Sequence, residues 1–307
     1  MELVLVAALS LGQSAVYAAV RLADVLSRGP LSQAQAKLNT SQSPRPWFDL
    51  VYQLLDIGFA LVPVGLVLYL MSLDRTLPGP VRGREAGSGS RAESSVVPRA
   101  GARAEARTEP SSSPATAAAA GAQPPVLAAP CARMGFDLRR PWGDLWRGAV
   151  LFLVIGVGTL GVYAAGRALG LTAQVQPANL GSYWWTVTVL LLAAVKNGIL
   201  EEVLLLGFGA DRLARLGARP WLIVVGLAVF RGSYHLYQGI GPFAGNVAMG
   251  LLFGWLFLRG RCGEACGTGD GRAPRGFGRV MPFVLAHTLI DAVGFLAPGI
   301  LAAIDPR

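Results

Sequence analysis

Lys196-Asn-Gly-Ile-Leu-Glu-Glu-Val-Leu-Leu-Leu206 sets two adjacent carboxyls, Glu201 and Glu202, inside an otherwise apolar helix. The apolar run 187–195 leads into this stretch, and residues 203–206 continue it. An ionisable side chain at membrane depth costs at least ~2.5 kcal/mol even on the lenient insertion scales. Two such groups side by side need an offset from elsewhere in the chain. Intramembrane carboxyls that are kept despite this cost point to a functional site.

The composition says which solvent that helix meets. The chain has 307 residues, 53% of them hydrophobic and only 15% charged, with a mean hydropathy of +0.48. A soluble domain carries about 25% charged residues. The deficit predicts an all-α, polytopic transmembrane helix bundle. The net charge of +9 sits in the connections between apolar runs, the pattern of cytoplasmic loops. It argues for a lipid bilayer as partner and against nucleic acid. Cys131, Cys262 and Cys266 are too few for a disulfide framework. Cys262 and Cys266 lack the further ligands a metal needs, so they read as loop thiols. The N-terminus has no basic residue before Arg21, which predicts an uncleaved membrane helix rather than a signal peptide.

About seven spans are expected: residues 3–25, 48–71, 145–169, the glutamate helix from 183 toward 216, then 221–237, 243–258 and 280–303. A helix over 183–216 would be about 51 Å long, against a bilayer core of ~30 Å. A break or a strong tilt is therefore expected, with Asn197-Gly198 as the favoured place for a break. Residues 74–140 are rich in Gly, Ser, Ala, Pro and Arg, with no hydrophobic period. They read as a disordered linker between a two-helix segment, residues 1–73, and a membrane domain, residues 141–307. Tyr183-Trp184-Trp185 reads as an interfacial anchor. Arginines cluster in the linker, in 211–219 and in 259–279, while 170–182 carries no charge. The positive-inside rule then puts the N-terminus and linker in the cytoplasm of a multi-pass protein of the cell membrane.

The two histidines of the chain both fall at the spans. His235 follows Arg231 by four residues, and Asp291 follows His287 by four. That spacing puts each pair on one helix face. The turn after the glutamate helix centres on Ala218, with Glu201 17 residues before it and His235 17 after. In an antiparallel hairpin the two sit at one depth, roughly 25 Å from the turn. His287 and Asp291 come within reach from the last span. Such a cavity can run hydrolysis. A carboxylate takes a proton from water, while imidazoles hold that water, bind a metal, or donate to an oxyanion.

The order Glu201-Glu202, then His235 in Arg231-Gly-Ser-Tyr-His-Leu-Tyr-Gln-Gly239, then His287-Thr-Leu-Ile-Asp291 resembles the three motifs of the CPBP intramembrane proteases. These include type II CAAX prenyl endopeptidases and bacteriocin self-immunity proteins. The resemblance covers about residues 144–304. It implies a peptidase in which Glu201 activates water, Glu202 supports it and His235 assists. His287 with Asp291 would stabilise the oxyanion or hold a metal. It also implies a membrane-anchored peptide or protein substrate. A divalent, zinc-like ion on His235, His287 and Glu201 goes with the family's description as metalloproteases. Two positions depart from the pattern. The first motif has an arginine where Leu206 stands, and the second has Phe where Arg231 stands. We expect Arg231 to replace that arginine and pair with Glu202. Two other readings stay open: a catalytically silent scaffold or immunity-type protein of the same fold, and a proton-relaying transporter. Gly267-Thr-Gly-Asp270 lies in a polar loop and carries no aspartyl-protease reading, and no His-Glu-x-x-His is present.

Overall fold

In a bilayer every backbone polar group must be satisfied within the chain, which leaves helices as the structure for runs like these. The computed structural model describes residues 1–37, 39–74, 128–176, 180, 183–265 and 276–304, and it is helical nearly throughout. Helix α1 (Glu2–Arg28) carries a π-turn at Ala8–Gly12. Helix α2 (Pro46–Leu73) turns at Leu61, two residues before Pro63, which has no N–H to donate. Next come α3 (Ala128–Met134), α4 (Pro141–Ala168) and α5 (Thr186–Glu202). The chain then runs π-helically over Val203–Gly209 into α6 (Ala210–Arg215). The last three are α7 (Pro220–Ser233), α8 (Ile240–Ala265) and α9 (Met281–Ile304). Two short parallel strands, β1 (Gln35–Lys37) and β2 (Gln174–Gln176), join the N-terminal piece to the loop after α4, with Gln35 opposite Gln174.

Among the described residues, four helices are long and apolar enough to cross a membrane: α1, α2, α4 and Ile240–Arg261 of α8. Pro220–Ser233 and Met281–Leu296 are shorter apolar helices. Seven full-length spans are therefore not matched one for one. The packing centres on α9, which lies against α4 and α5, and on the α7–α8 hairpin, with α8 also against α4. Helix α2 covers α5 and the π-segment, and α1 lies along α7 and the turn that follows it. The hairpin between α6 and α7 is set by Gly217 at φ +79 and by Pro220 at the first helical position, the usual stop and start signals.

Four expectations need correction. Helix α5 is unbroken through Asn197-Gly198, and the irregularity comes at 203–209, directly after Glu202. Gly198 serves packing instead. A Cβ there would lie 2.5 Å from Thr288 Oγ1 and 2.9 Å from the Val284 carbonyl oxygen, so its absence lets α5 and α9 close up. The helix expected over 221–237 ends at Ser233, and a 3₁₀ turn follows at Leu236–Gln238. Gly232 and Ser233 are weak helix formers, and Gly239, at φ +110, is drawn into a bridge with Thr172. The linker stops short of residue 140. Residues 75–127 lie outside the described residues, but α3 is helical and Met134 is fully buried. Helix α8 extends past the expected 258 to Ala265, while Cys266 and 267–270 lie outside the described residues.

A buried ion cluster fixes the start of α9. Arg279 donates Nε to both oxygens of Asp144 at 3.1 and 3.0 Å, and Nη2 to Asp137 Oδ1 at 3.0 Å. Beside it the Val280 N–H donates to the Met134 carbonyl at 2.9 Å. This ties α3, α4 and α9 together at one end and sets the register of the face that carries His287.

Candidate active site

The end of α5 delivers both glutamates into the bundle. Glu202 is fully buried and Glu201 is 7% exposed. Arg231, in the last turn of α7, donates through Nη2 to Oε1 of Glu202 and lies 3.8 Å from Oε2 of Glu201. It is itself 1% exposed. The cation thus faces the buried pair, as the expected substitution for Leu206 requires. Leu206 is buried in the apolar π-segment.

From α9, Nδ1–H of His287 donates to the same Oε1 of Glu202 at 2.8 Å. Its Nε2 faces Asp291 Oδ1 at 3.8 Å, beyond direct hydrogen-bond range. Asp291 accepts from Asn197 Nδ2 at 2.7 Å. A row of polar groups therefore runs Asn197, Asp291, His287, Glu202, Arg231, Glu201 across three helices, linked by hydrogen bonds except for 3.8 Å approaches between Asp291 and His287 and between Arg231 and Glu201. Its last member is Tyr234, whose hydroxyl donates to Glu201 Oε2 at 2.6 Å.

His235 sits one residue beyond Tyr234, in the turn after α7 rather than within the helix, so it does not continue the Arg231 face as the spacing suggested. Its ring lies 4.8 Å from that of Tyr234. Neither ring nitrogen has a hydrogen-bond partner among the described residues. A cavity of about 120 Å³ opens beside it, lined by His235, His287, Asp291, Tyr163, Thr159 and Asn246 among others. The volume is ample for water. Glu201 and Glu202 do not line this cavity. Glu202 stands one hydrogen bond behind its wall, through His287. Glu201 is tied to Tyr234, the neighbour of the lining His235.

Residues 183–293 match the family model for type II CAAX prenyl endopeptidase, Rce1-like. The match supports the resemblance to the CPBP intramembrane proteases over this segment. No curated protein and no solved structure matches the chain. The matched segment holds every member of the polar row. Helices α1, α2 and α4 lie outside it, yet α4 supplies Thr159 and Tyr163 to the cavity wall. The match supports a membrane-endopeptidase type of function for this segment.

The metal implied by the family can be tested on the donors. Among the described residues no three His, Cys, Asp or Glu side chains gather as a ligand set. His287 Nδ1 and Glu202 Oε1 are engaged with each other. The expected donors His235, His287 and Glu201 therefore do not fit an ion as they stand. Tyr234, Asn197, Asn246, Tyr163 and Thr159 escape sequence reasoning. Asn197 was legible only as a helix breaker, and Tyr234 only as a residue inside a span.

Proposed function

We propose that this protein is an intramembrane endopeptidase that hydrolyses a peptide bond of a membrane-associated substrate, with Glu201 as the general base. The observation that carries the reading is the unequal fate of the two carboxyls. Glu202 is sealed, with Arg231 and His287 both on its Oε1. Glu201 keeps some exposure, and with Tyr234 on its Oε2 the other oxygen, Oε1, is the one to turn toward the His235 wall and meet water there. Glu202 is then the anchor of the site and Glu201 its base.

The sequence of events follows. Oε1 of Glu201 takes a proton from water as the oxygen attacks the carbonyl carbon of the substrate. Negative charge builds on the carbonyl oxygen. His235, whose ring has no competing hydrogen-bond partner and which lines the cavity, donates to that oxygen from its one N–H in the neutral form. Glu201 then returns the proton to the departing amine. His287 is held between Glu202 and Asp291 and keeps the α9 wall of the cavity in register. With the basic connections read as cytoplasmic, the N-terminus and linker lie on the inner side of the cell membrane.

The silent-scaffold reading drew its support from the missing arginine at Leu206. Arg231 supplies that guanidinium from α7, which removes the support. The deciding experiment compares wild type, Glu201→Ala and His287→Ala, purified and assayed on a panel of membrane peptides. We expect a loss of about 10²- to 10⁴-fold for Glu201→Ala, the range of a general base. Equal cleavage by all three proteins rejects the reading.

A further inference from the structure

Tyr234 is the first residue past α7 and is buried. Its hydroxyl reaches back across 33 residues of chain to Oε2 of Glu201 at 2.6 Å. The ring has little freedom. Phe230 meets it edge-on at 6.1 Å, and the His235 imidazole lies 4.8 Å away on the cavity side. Arg231 Nη2 stands 3.8 Å from the same Oε2. One carboxylate oxygen is therefore engaged by a hydroxyl donor and faced by a cation.

A phenylalanine would fill the same volume and avoid burying a polar atom, which is costly without a partner. Among the described residues the hydroxyl finds its partner in Glu201. The contact also bears on geometry. A carboxylate side chain is loose about its terminal torsion, which has broad, roughly two-fold preferences. A donor fixed to a rigid ring removes that looseness, and reaction rates fall steeply when reacting atoms are misplaced by about 1 Å.

We propose that Tyr234 is a positioning residue of the hydrolysis: its hydroxyl pins Oε2 of Glu201 and so directs Oε1 at the attacking water. Tyr234 does not touch the substrate; it acts through Glu201. The proposal rests on the reading of Glu201 as general base. It also gives the short turn after α7 a purpose. Ending the helix at Ser233 lets two successive residues, Tyr234 and His235, face the site from different directions, one toward the base and one toward the cavity.

The test measures kcat, KM and the thermal midpoint of the full chain in detergent for wild type, Tyr234→Phe and Glu201→Ala, on a membrane peptide that wild type cleaves. Tyr234→Phe is expected to lower kcat about 10- to 100-fold, the weight of a hydrogen bond to a charged group, with KM within about twofold and the midpoint unchanged. A kcat within about twofold of wild type, beside an inactive Glu201→Ala, overturns this proposal alone. So does a rise in KM at unchanged kcat, which would put the hydroxyl on the substrate. A midpoint that falls along with kcat marks a structural hydroxyl and overturns it as well. If Glu201→Ala cleaves as wild type does, or wild type cleaves no peptide, the general-base reading falls and this proposal falls with it.

Discussion

Arg231 crosses from the last turn of α7 to Oε1 of Glu202 at the end of α5, joining residues 29 apart with both side chains sealed from solvent. Removing one partner of such a pair leaves an uncompensated buried charge, at about 3–5 kcal/mol. Arg231→Met should therefore lower the thermal midpoint sharply and abolish cleavage. Adding Glu202→Gln to it should restore part of the lost stability, because the orphaned charge goes too. Thermal unfolding of the two single variants and the double variant reads the coupling directly. A double variant as unstable as the two singles summed would show that the residues act independently.

The close approach of α5 and α9 at Gly198 makes a second prediction. With Thr288 Oγ1 and the Val284 carbonyl already at 2.5 and 2.9 Å from a would-be Cβ, Gly198→Val must push the helices apart. Overpacking of this kind costs about 1–3 kcal/mol. The same shift separates Glu202 from His287, which now stand 2.8 Å apart. Cleavage should fall further than stability alone explains, so that lowering the assay temperature restores folding but not activity. An active, stable Gly198→Val protein would contradict the packing described here.

The sequence reached the site by a simple route and missed its finer parts for identifiable reasons. Equal residue counts from Ala218 to Glu201 and His235 brought α5 and α7 to one depth. The pair of Arg231 with Glu202, 13 and 16 residues from that turn, was suggested by the arginine missing at Leu206 and only roughly allowed by the count. The same counting assumed an unbroken helix to 237. Because α7 stops at Ser233, Tyr234 rather than the histidine meets Glu201. Gly198 looked like a breaker because a glycine needed for contact with another helix carries no local mark to tell the two apart. The π-segment has no signature in Val203-Leu-Leu-Leu206 either. Nor can residues 135 apart, such as Arg279 and Asp144, be paired without the fold.

Donor arrangement leads to a third prediction. His287 Nδ1 and Glu202 Oε1 are engaged with each other, and no ligand set of three gathers among the described residues. Cleavage by the purified protein should then stay within about twofold of its starting rate after prolonged chelation. The control is metal analysis of the treated protein. A loss of more than tenfold that added zinc reverses would mean that His235, His287 and Glu201 regroup around an ion.

The ion cluster at the start of α9 makes stability depend on pH in a definite direction. Burial pushes the Asp137 carboxyl up, but hydrogen bonding and charge from Arg279, helped by Arg139, outweigh it and hold the group below its ordinary value. Asp74 is arranged alike: burial raises it, while Arg212, Arg133 and Arg215 bring it down overall. A carboxyl whose pKa is depressed on folding stabilises the fold fully above its unfolded value of about 3.9, and loses that contribution as pH falls through the folded value. The thermal midpoint should thus be flat from pH 7 to about 5 and drop below about 4. Asp137→Asn should lower the midpoint at pH 7 and shrink the acid drop, since the titrating group is gone. Arg279→Met should cost about 3–5 kcal/mol at pH 7, because Asp144 and Asp137 both lose their partner. Thermal scans of the three proteins from pH 3 to 7 check this. An acid drop in Asp137→Asn as large as in wild type would move the titration away from this clamp, and Asp74 with its three arginines would be the next group to replace.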